Sequence, residues 1–217
     1  MAGQFLISGP SNAGLRFLCA HGAGAGMETP FLRAMAELLA ERGVATYRFE
    51  FGYMAARRQA GARKPPPKAE RLVEEYRSAV EALPAGGPLL IGGKSMGGRV
   101  ASLLADNLYA AGRIRGLVCL GYPFHPPGKP DRLRTAHLEA ITCPTLIVQG
   151  ERDPFGSRVE VESYRLSSAI RIHWIGDGDH DLGPRGGSGF TRKGNLADAA
   201  SAVAVFAQAV GADVPRG

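Results

Sequence analysis

The sequence predicts an α/β fold, a mainly parallel sheet flanked by helices in one domain, and three features of the chain carry that expectation. Short apolar runs rich in β-formers alternate with longer segments of helical period, the pattern of repeated βα units. Glycine (30 residues) and proline (15) fall largely between these runs, where an open sheet needs tight turns. The 217 residues suffice for one well-buried core but are short for two ordinary domains.

Strands are expected over Gln4 to Ile7, Leu15 to Ala20, Val44 to Phe49, Leu89 to Gly92, Gly116 to Leu120, Thr145 to Gln149 and Ile170 to Ile175. The first helix reads from Thr29 as N-cap and Pro30 at its first position, with Phe31, Leu32, Met35, Leu38 and Leu39 on one stripe and a stop at Gly43. A second helix is expected near Ala69 to Leu83, its apolar face built from Leu72, Val73, Tyr76, Val80 and Leu83. A third begins near Met96 and ends near Ala110, and the last spans about Leu196 to Val210. Loops over residues 52–67, 121–131 and 183–195 sit where such sheets place ligand-binding segments.

Composition excludes several classes. Hydrophobic residues make up 45% and charged residues 21%, ordinary globular usage. No stretch reads as the roughly 20 apolar residues that span a bilayer, and the N-terminal MAGQFLISGPSNAG lacks the basic start of a secretory signal, so a cytoplasmic protein is expected. Cys19, Cys119 and Cys143 are odd in number and widely spaced, which argues for reduced, buried thiols and against a disulfide framework or a metal site. The net charge is +6 and its clustering is modest, the densest patch being Arg57, Arg58, Arg63, Lys64, Lys68 and Arg71 around a triple proline. No aromatics interleave with these cations, so nucleic acid is not an expected partner; the patch reads as a solvated loop or as a surface for an anionic substrate or partner.

The stretch LLIGGKSMGGRV, Leu89 to Val100, admits two readings, because Gly93-Lys94-Ser95 could close a phosphate-binding loop or form part of a nucleophile elbow. A phosphate loop needs a glycine five positions before Gly93, and that position is Pro88; the intervening residues are mostly the strand itself. The elbow needs small residues around a serine held between a strand and a helix, and Gly93, Gly97 and Gly98 meet that need around Ser95. An acid and then a histidine should follow, each beyond a later strand. PTLIVQGERDPFG supplies Asp153, with Glu151 as a rival acid, and IRIHWIGDGDHDL supplies His180, crowded by Asp177, Asp179 and Asp181.

Acyl transfer also needs two backbone N–H groups aimed at developing negative charge. Met96, directly after the serine, offers one, and the Gly-rich loop His21 to Gly26 offers the other, assigned to Ala23 with Gly24 as the alternative. The Pro-rich segment GYPFHPPGKPDRLR leaves a strand beside the serine strand; it is expected to present Tyr122, Phe124 and His125 to substrate from a stiff loop.

Taken together, HGAGAGM, GGKSMGGR, QGERDPFG and GDGDHDL resemble the motifs of α/β-hydrolases over nearly the whole chain. With GYPFHPPGKPDRLRTAHL added, the chain resembles the dienelactone-hydrolase-like group that includes the non-specific-lethal complex subunit three and testis-expressed protein thirty family. The resemblance implies an eight-strand-type sheet, a Ser95, Asp153 and His180 triad with Met96 and Ala23 as oxyanion donors, and no metal or organic cofactor. The implied activity is hydrolysis of a small ester, thioester or related acyl compound; the alternative is a scaffold that binds a protein partner, since the group contains complex subunits. Lys94 stands where a histidine or aromatic residue often precedes the serine, and the chain is too short for a substantial lid domain.

Overall fold

The computed structural model describes residues 5–10, 12–60 and 65–212, without the side chains of residues 58–60. Gln4 of the expected first strand, Arg63, Lys64 and the Arg58 side chain therefore lie outside the described part. Seven strands, β1 (Leu6–Ser8), β2 (Leu15–Ala20), β3 (Val44–Phe49), β4 (Leu89–Lys94), β5 (Gly116–Leu120), β6 (Thr145–Gly150) and β7 (Ile170–Ile175), form one sheet in the order β1-β3-β2-β4-β5-β6-β7. All pairings are parallel except that of β1 with β3. The strand count is seven among the described residues, one fewer than the resemblance implied.

Helices cover both faces, as a sheet buried on both sides requires. On one face α1 (Pro30–Ala40) and α7 (Arg192–Ala212) bury Phe31, Leu32, Met35 and Leu39 with Leu196, Val203 and Phe206. On the other, α3 (Val73–Glu81), α4 (Met96–Ser102) and α5 (Ala105–Ala110) bury Tyr76, Val80, Val100, Leu104 and Leu108. The α1 start follows its sequence signals, Thr29 Oγ1 accepting from Leu32 N–H at 3.3 Å and Pro30 leading the helix. Tyr76 reaches through to the sheet, its hydroxyl accepting from Gly92 N–H at 2.7 Å where glycine leaves room between β2 and β4.

Departures from expectation have local causes. The second helix opens as a 3₁₀ turn over Ala69–Leu72, tightened by Arg71 N–H donating to Lys68 O at 3.0 Å just after the triple proline. The third is two helices, because Leu103 and Leu104 N–H groups donate three residues back, to Val100 O and Ala101 O, and close the first segment. Helix α2 (Gly52–Ala60), which lacks an apolar stripe, occupies a stretch expected to be loop; Glu75 Oε2 accepts from its Gly52 N–H at 2.7 Å. The short α6 (Arg158–Val161) was also not anticipated; Ser157 and Glu160 form a capping box at its start.

Helix α7 corrects the reading that no stretch is long and apolar enough to cross a membrane, for its 21 residues meet that test by length and mean hydropathy of 1.2. Its apolarity serves the core instead: Ala199, Ala200, Val203 and Ala207 are fully buried against the sheet and α1. All three cysteines are reduced and buried.

Candidate active site

The site lies at the C-terminal edge of the central strands, where parallel sheets leave room for loops. Ser95 follows β4 and precedes α4 with φ 51° and ψ −114°. A left-handed φ on a non-glycine residue costs on the order of 1–3 kcal/mol, so the surroundings must enforce it. They do so by close backbone approach: a Cβ on Gly97 would stand 2.6 Å from Ala20 O and 2.7 Å from His21 O, and one on Gly93 would collide with Ala20 O. Ser95 N–H is tied to Leu120 O at 3.0 Å, which fixes the turn against β5.

Three side chains from three separate loops converge. Asp153, after β6, is fully buried and its Oδ2 accepts from His180 Nδ1–H at 2.8 Å. A carboxylate can only accept, so the imidazole proton sits on Nδ1 and Nε2 is free. Ser95 Oγ–H donates to that Nε2 at 2.9 Å. Glu151, the rival acid, instead accepts from Asp177 N–H and pairs with Arg158, away from the histidine. Asp177, Asp179 and Asp181 shape the His180 loop: Asp177 pairs with Arg152 and Arg185, Asp179 Oδ1 accepts from the N–H groups of Asp181 and Gly183, and Asp181 pairs with Lys94.

Four supports were not foreseen. Gln149 Nε2 donates to Asp153 Oδ2 at 3.0 Å and to Gly156 O at 3.1 Å, so the buried carboxylate has an amide donor besides the histidine. Phe155 lies over the His180 ring with centroids 4.2 Å apart, and its N–H donates to Asp153 Oδ1 at 2.9 Å. Lys94 Nζ donates to His180 O at 2.7 Å, pairs with Asp181 at 3.3 Å and faces the Phe31 ring. Burial pushes the Lys94 pKa down, and Asp181 only partly restores it. The residue before the serine thus anchors the histidine loop from below. His21 is the fourth support. Its Nδ1–H donates to Gly22 O at 2.6 Å and its Nε2 accepts from Phe51 N–H at 3.1 Å, so both nitrogens are used by a neutral ring whose pKa burial drives down.

Gly22 packs against the serine, since a Cβ there would stand 3.7 Å from Ser95 Cβ. Gly22 O is held by His21 and, at 3.4 Å, by Tyr53 Oη–H, and a trans peptide turns its N–H opposite to its C=O. Ala23 N–H is therefore turned away from Tyr53 and has no acceptor among the described residues, and the same holds of Met96 N–H at the start of α4. Ala23 O, which governs the Gly24 N–H, is held by Tyr53 and Arg57. Ala23 lines the cleft on both sides of Ser95, whereas Gly24 lines one side only.

Tyr122, Phe124 and His125 do not reach this cleft, and the expectation that they contact substrate is corrected: they are 0%, 0% and 2% exposed. The two aromatic rings share one side of the chain, 4.9 Å apart, and Phe124 packs on Tyr164 within the core. Tyr122 Oη–H donates to Arg134 O, and His125 Nδ1–H to Pro126 O. Burial of that apolar area outweighs any stiff outward presentation. Pro123, between the rings, is the residue of this trio's stretch that faces the cleft, and Arg134 joins it from the end of the segment.

The cleft passes Ser95 on two sides, with cavities of about 460 Å³ toward Lys94 and Arg192 and about 500 Å³ toward Arg99 and Arg134. Ala23, Ser95 and Phe155 border both. No cluster of three or more metal-ligating side chains occurs among the described residues.

The architecture is that of an α/β-hydrolase fold, with a serine in left-handed backbone between strand and helix facing an imidazole that is backed by a buried carboxylate. The chain belongs to the family described as "Alpha/beta hydrolase domain", whose model matches residues 13–208. Among solved structures it is similar to Est1E from Butyrivibrio proteoclasticus with ferulic acid bound, at TM-score 0.66 and 17% identity, covering 95% of this chain and 96% of that one. It is also similar to dienelactone hydrolase from Anabaena variabilis, at TM-score 0.65 and 20% identity, covering 96% and 97%. A third is a serine hydrolase without lid from Xanthomonas campestris, at TM-score 0.65 and 16% identity, covering 99% and 96%. At these identities the likeness establishes the fold.

Proposed function

We propose that the protein is a serine hydrolase that cleaves a small ester, thioester or related acyl substrate through an acyl-enzyme. The observation that carries this reading is the continuous hydrogen-bonded line from Ser95 Oγ through His180 to buried Asp153. Ser95 Oγ attacks the acyl carbon while its proton passes to His180 Nε2, and Asp153 offsets the imidazolium charge. The oxyanion that forms is met by the N–H groups of Met96 and Ala23. Collapse breaks the bond to the leaving group, which takes the proton from His180. Water then attacks the acyl-serine with His180 again as base, releasing the acid and restoring Ser95.

Support for a small-molecule substrate comes from the open cleft, whose two cavities border the serine with no lid domain among the described residues. The motif set resembles that of the dienelactone-hydrolase-like group with complex-forming members, so a protein-binding scaffold is the competing reading. Turnover of 4-nitrophenyl acetate decides between them. Wild type is expected to hydrolyse it with an initial burst, and Ser95→Ala to lose about three or more powers of ten in kcat. A folded wild-type chain with no turnover above the Ser95→Ala background overturns the hydrolase reading.

A further inference from the structure

The cavity of about 500 Å³ beside Ser95 carries a charge imbalance that the proposed chemistry does not use. Lys68, Arg99 and Arg134 border it, with Glu70 as the carboxylate among its lining residues. Glu70 Oε1 accepts from Arg99 Nη2 at 2.6 Å, and that contact is the only hydrogen bond or ion pair of the Arg99 side chain among the described residues; its buried Nε has no partner. The Arg134 guanidinium, half-buried, has no hydrogen bond or ion pair of its own among the described residues. Only its backbone is tied, N–H to Phe124 O and O to Tyr122.

The Arg134 guanidinium, half-buried beside the Arg99 charge and without a carboxylate of its own, is unfavourable unless an anion joins it. Burial lowers the Arg134 pKa, and the neighbouring Arg99 charge lowers it further. The same arginine depresses His137, after burial. On the opposite side of Ser95, Lys94 is matched by Asp181 and the other bordering cation, Arg192, is exposed to solvent. An unmatched guanidinium fork is suited to a planar carboxylate or a phosphate, which it can hold by paired charge-assisted hydrogen bonds.

We infer that the Arg99 and Arg134 cavity is an anion subsite, and that the substrate is an ester or thioester bearing a carboxylate or phosphate on the part that enters it. This rests on the hydrolase reading for what is cleaved, while the anion site itself stands on the cavity, the unpaired Arg134 guanidinium and the unsatisfied Nε of Arg99. Pro66, Pro67 and Pro123 border the same cavity as rigid apolar wall, which suits an apolar segment linking anion to scissile bond.

The test compares 4-nitrophenyl pentanoate with the 4-nitrophenyl monoester of glutarate, which places a carboxylate at the acyl end, and phenyl acetate with 4-acetoxybenzoate, which places it on the leaving group. In one of the two pairs the anionic member is expected to be preferred by roughly tenfold or more in kcat/KM, chiefly through KM. Arg134→Leu should bring that ratio close to one, Arg134→Lys should restore part of it, and Arg132→Leu, an exposed neighbour outside the cavity, should leave it unchanged. Inhibition by inorganic phosphate and by free glutarate distinguishes the two anion types, the stronger naming the group. A readout without turnover separates this inference from the hydrolase reading: calorimetric binding to Ser95→Ala of at least one of the two anionic esters, the glutarate monoester or 4-acetoxybenzoate, should weaken by a similar factor when Arg134→Leu is added. Equal handling of charged and neutral esters in both pairs, or Ser95→Ala binding indifferent to Arg134→Leu, overturns the anion subsite even if esters are cleaved. Absent turnover with Arg134-dependent binding overturns the hydrolase reading and leaves the subsite standing.

Discussion

Asp153 is a fully buried carboxylate, a state tolerated only when its oxygens are well supplied with donors. It has three, His180 Nδ1–H, Gln149 Nε2–H and the Phe155 N–H, and each also fixes the direction in which the carboxylate acts. Asp153→Asn keeps the volume but presents an amide that no longer enforces the Nδ1–H tautomer, so kcat for an acyl ester is expected to fall about 10⁴-fold with the melting temperature little changed. Steady-state kinetics beside thermal melts check this; a fall of only a few-fold would show that Asp153 does not orient the base. Asp153, His180 and Ser95 were legible because chain order and strand-end placement mark them. Lys94, His21 and Gln149 were not, because what they do depends on partners far along the chain: Lys94 meets His180 across 86 residues. Tyr122 and Phe124 were misplaced for a different reason. Prolines stiffen a loop without saying which side faces solvent, and two apolar rings favour the core when it is within reach.

The elements that deliver these residues differ in how visible they are. The β4–α4 junction shows in the sequence because close packing against β2 leaves no room for side chains, so glycines must mark it. The division of the third helix at Leu103 and the 3₁₀ start at Ala69 are invisible to periodicity, since both change hydrogen bonding without moving the apolar stripe. The loop after β7 is held by charge. Arg185 side-chain and backbone donors, with Arg152 beside them, hold the Asp177 carboxyl at about 2 against an ordinary 3.8. A depressed carboxyl stabilises the fold in full above its unfolded value, and that contribution is lost as pH falls from 3.8 through about 2. Asp177→Asn should accordingly be less stable than wild type at about pH 5, and the gap should narrow toward pH 2. Melting temperatures that fall in parallel for the two proteins would show that the Arg185 and Arg152 contacts contribute nothing to the acid response.

For the molecule as a whole, the parallel sheet and its two helical layers were legible because the units around β2, β3 and β4 repeat the same contrast between a short apolar strand and a helix with an apolar stripe. The antiparallel β1 was not, because strand direction at a sheet edge leaves no mark on a strand of three residues. Helix α7 shows how composition alone misleads, since an apolar helix of 21 residues can fill a core as well as a bilayer. Its two sides make the distinction measurable: Phe206 is 6% exposed and Val205 61%. Phe206→Ala should cost about 3–5 kcal/mol in denaturant unfolding, while Val205→Ala should stay within about 0.5 kcal/mol. Similar losses at both positions would contradict the placement of α7 as a core helix.

The hydrolase reading stands or falls on whether Ser95 is an activated nucleophile in the native fold. A fluorophosphonate, which needs an activated serine but no knowledge of the substrate, followed by intact mass and peptide mapping, measures that directly. One adduct per chain is expected, mapped to Ser95, absent from Ser95→Ala and strongly slowed in His180→Ala. A folded wild-type chain that stays unmodified, or an adduct that persists in Ser95→Ala, would contradict it.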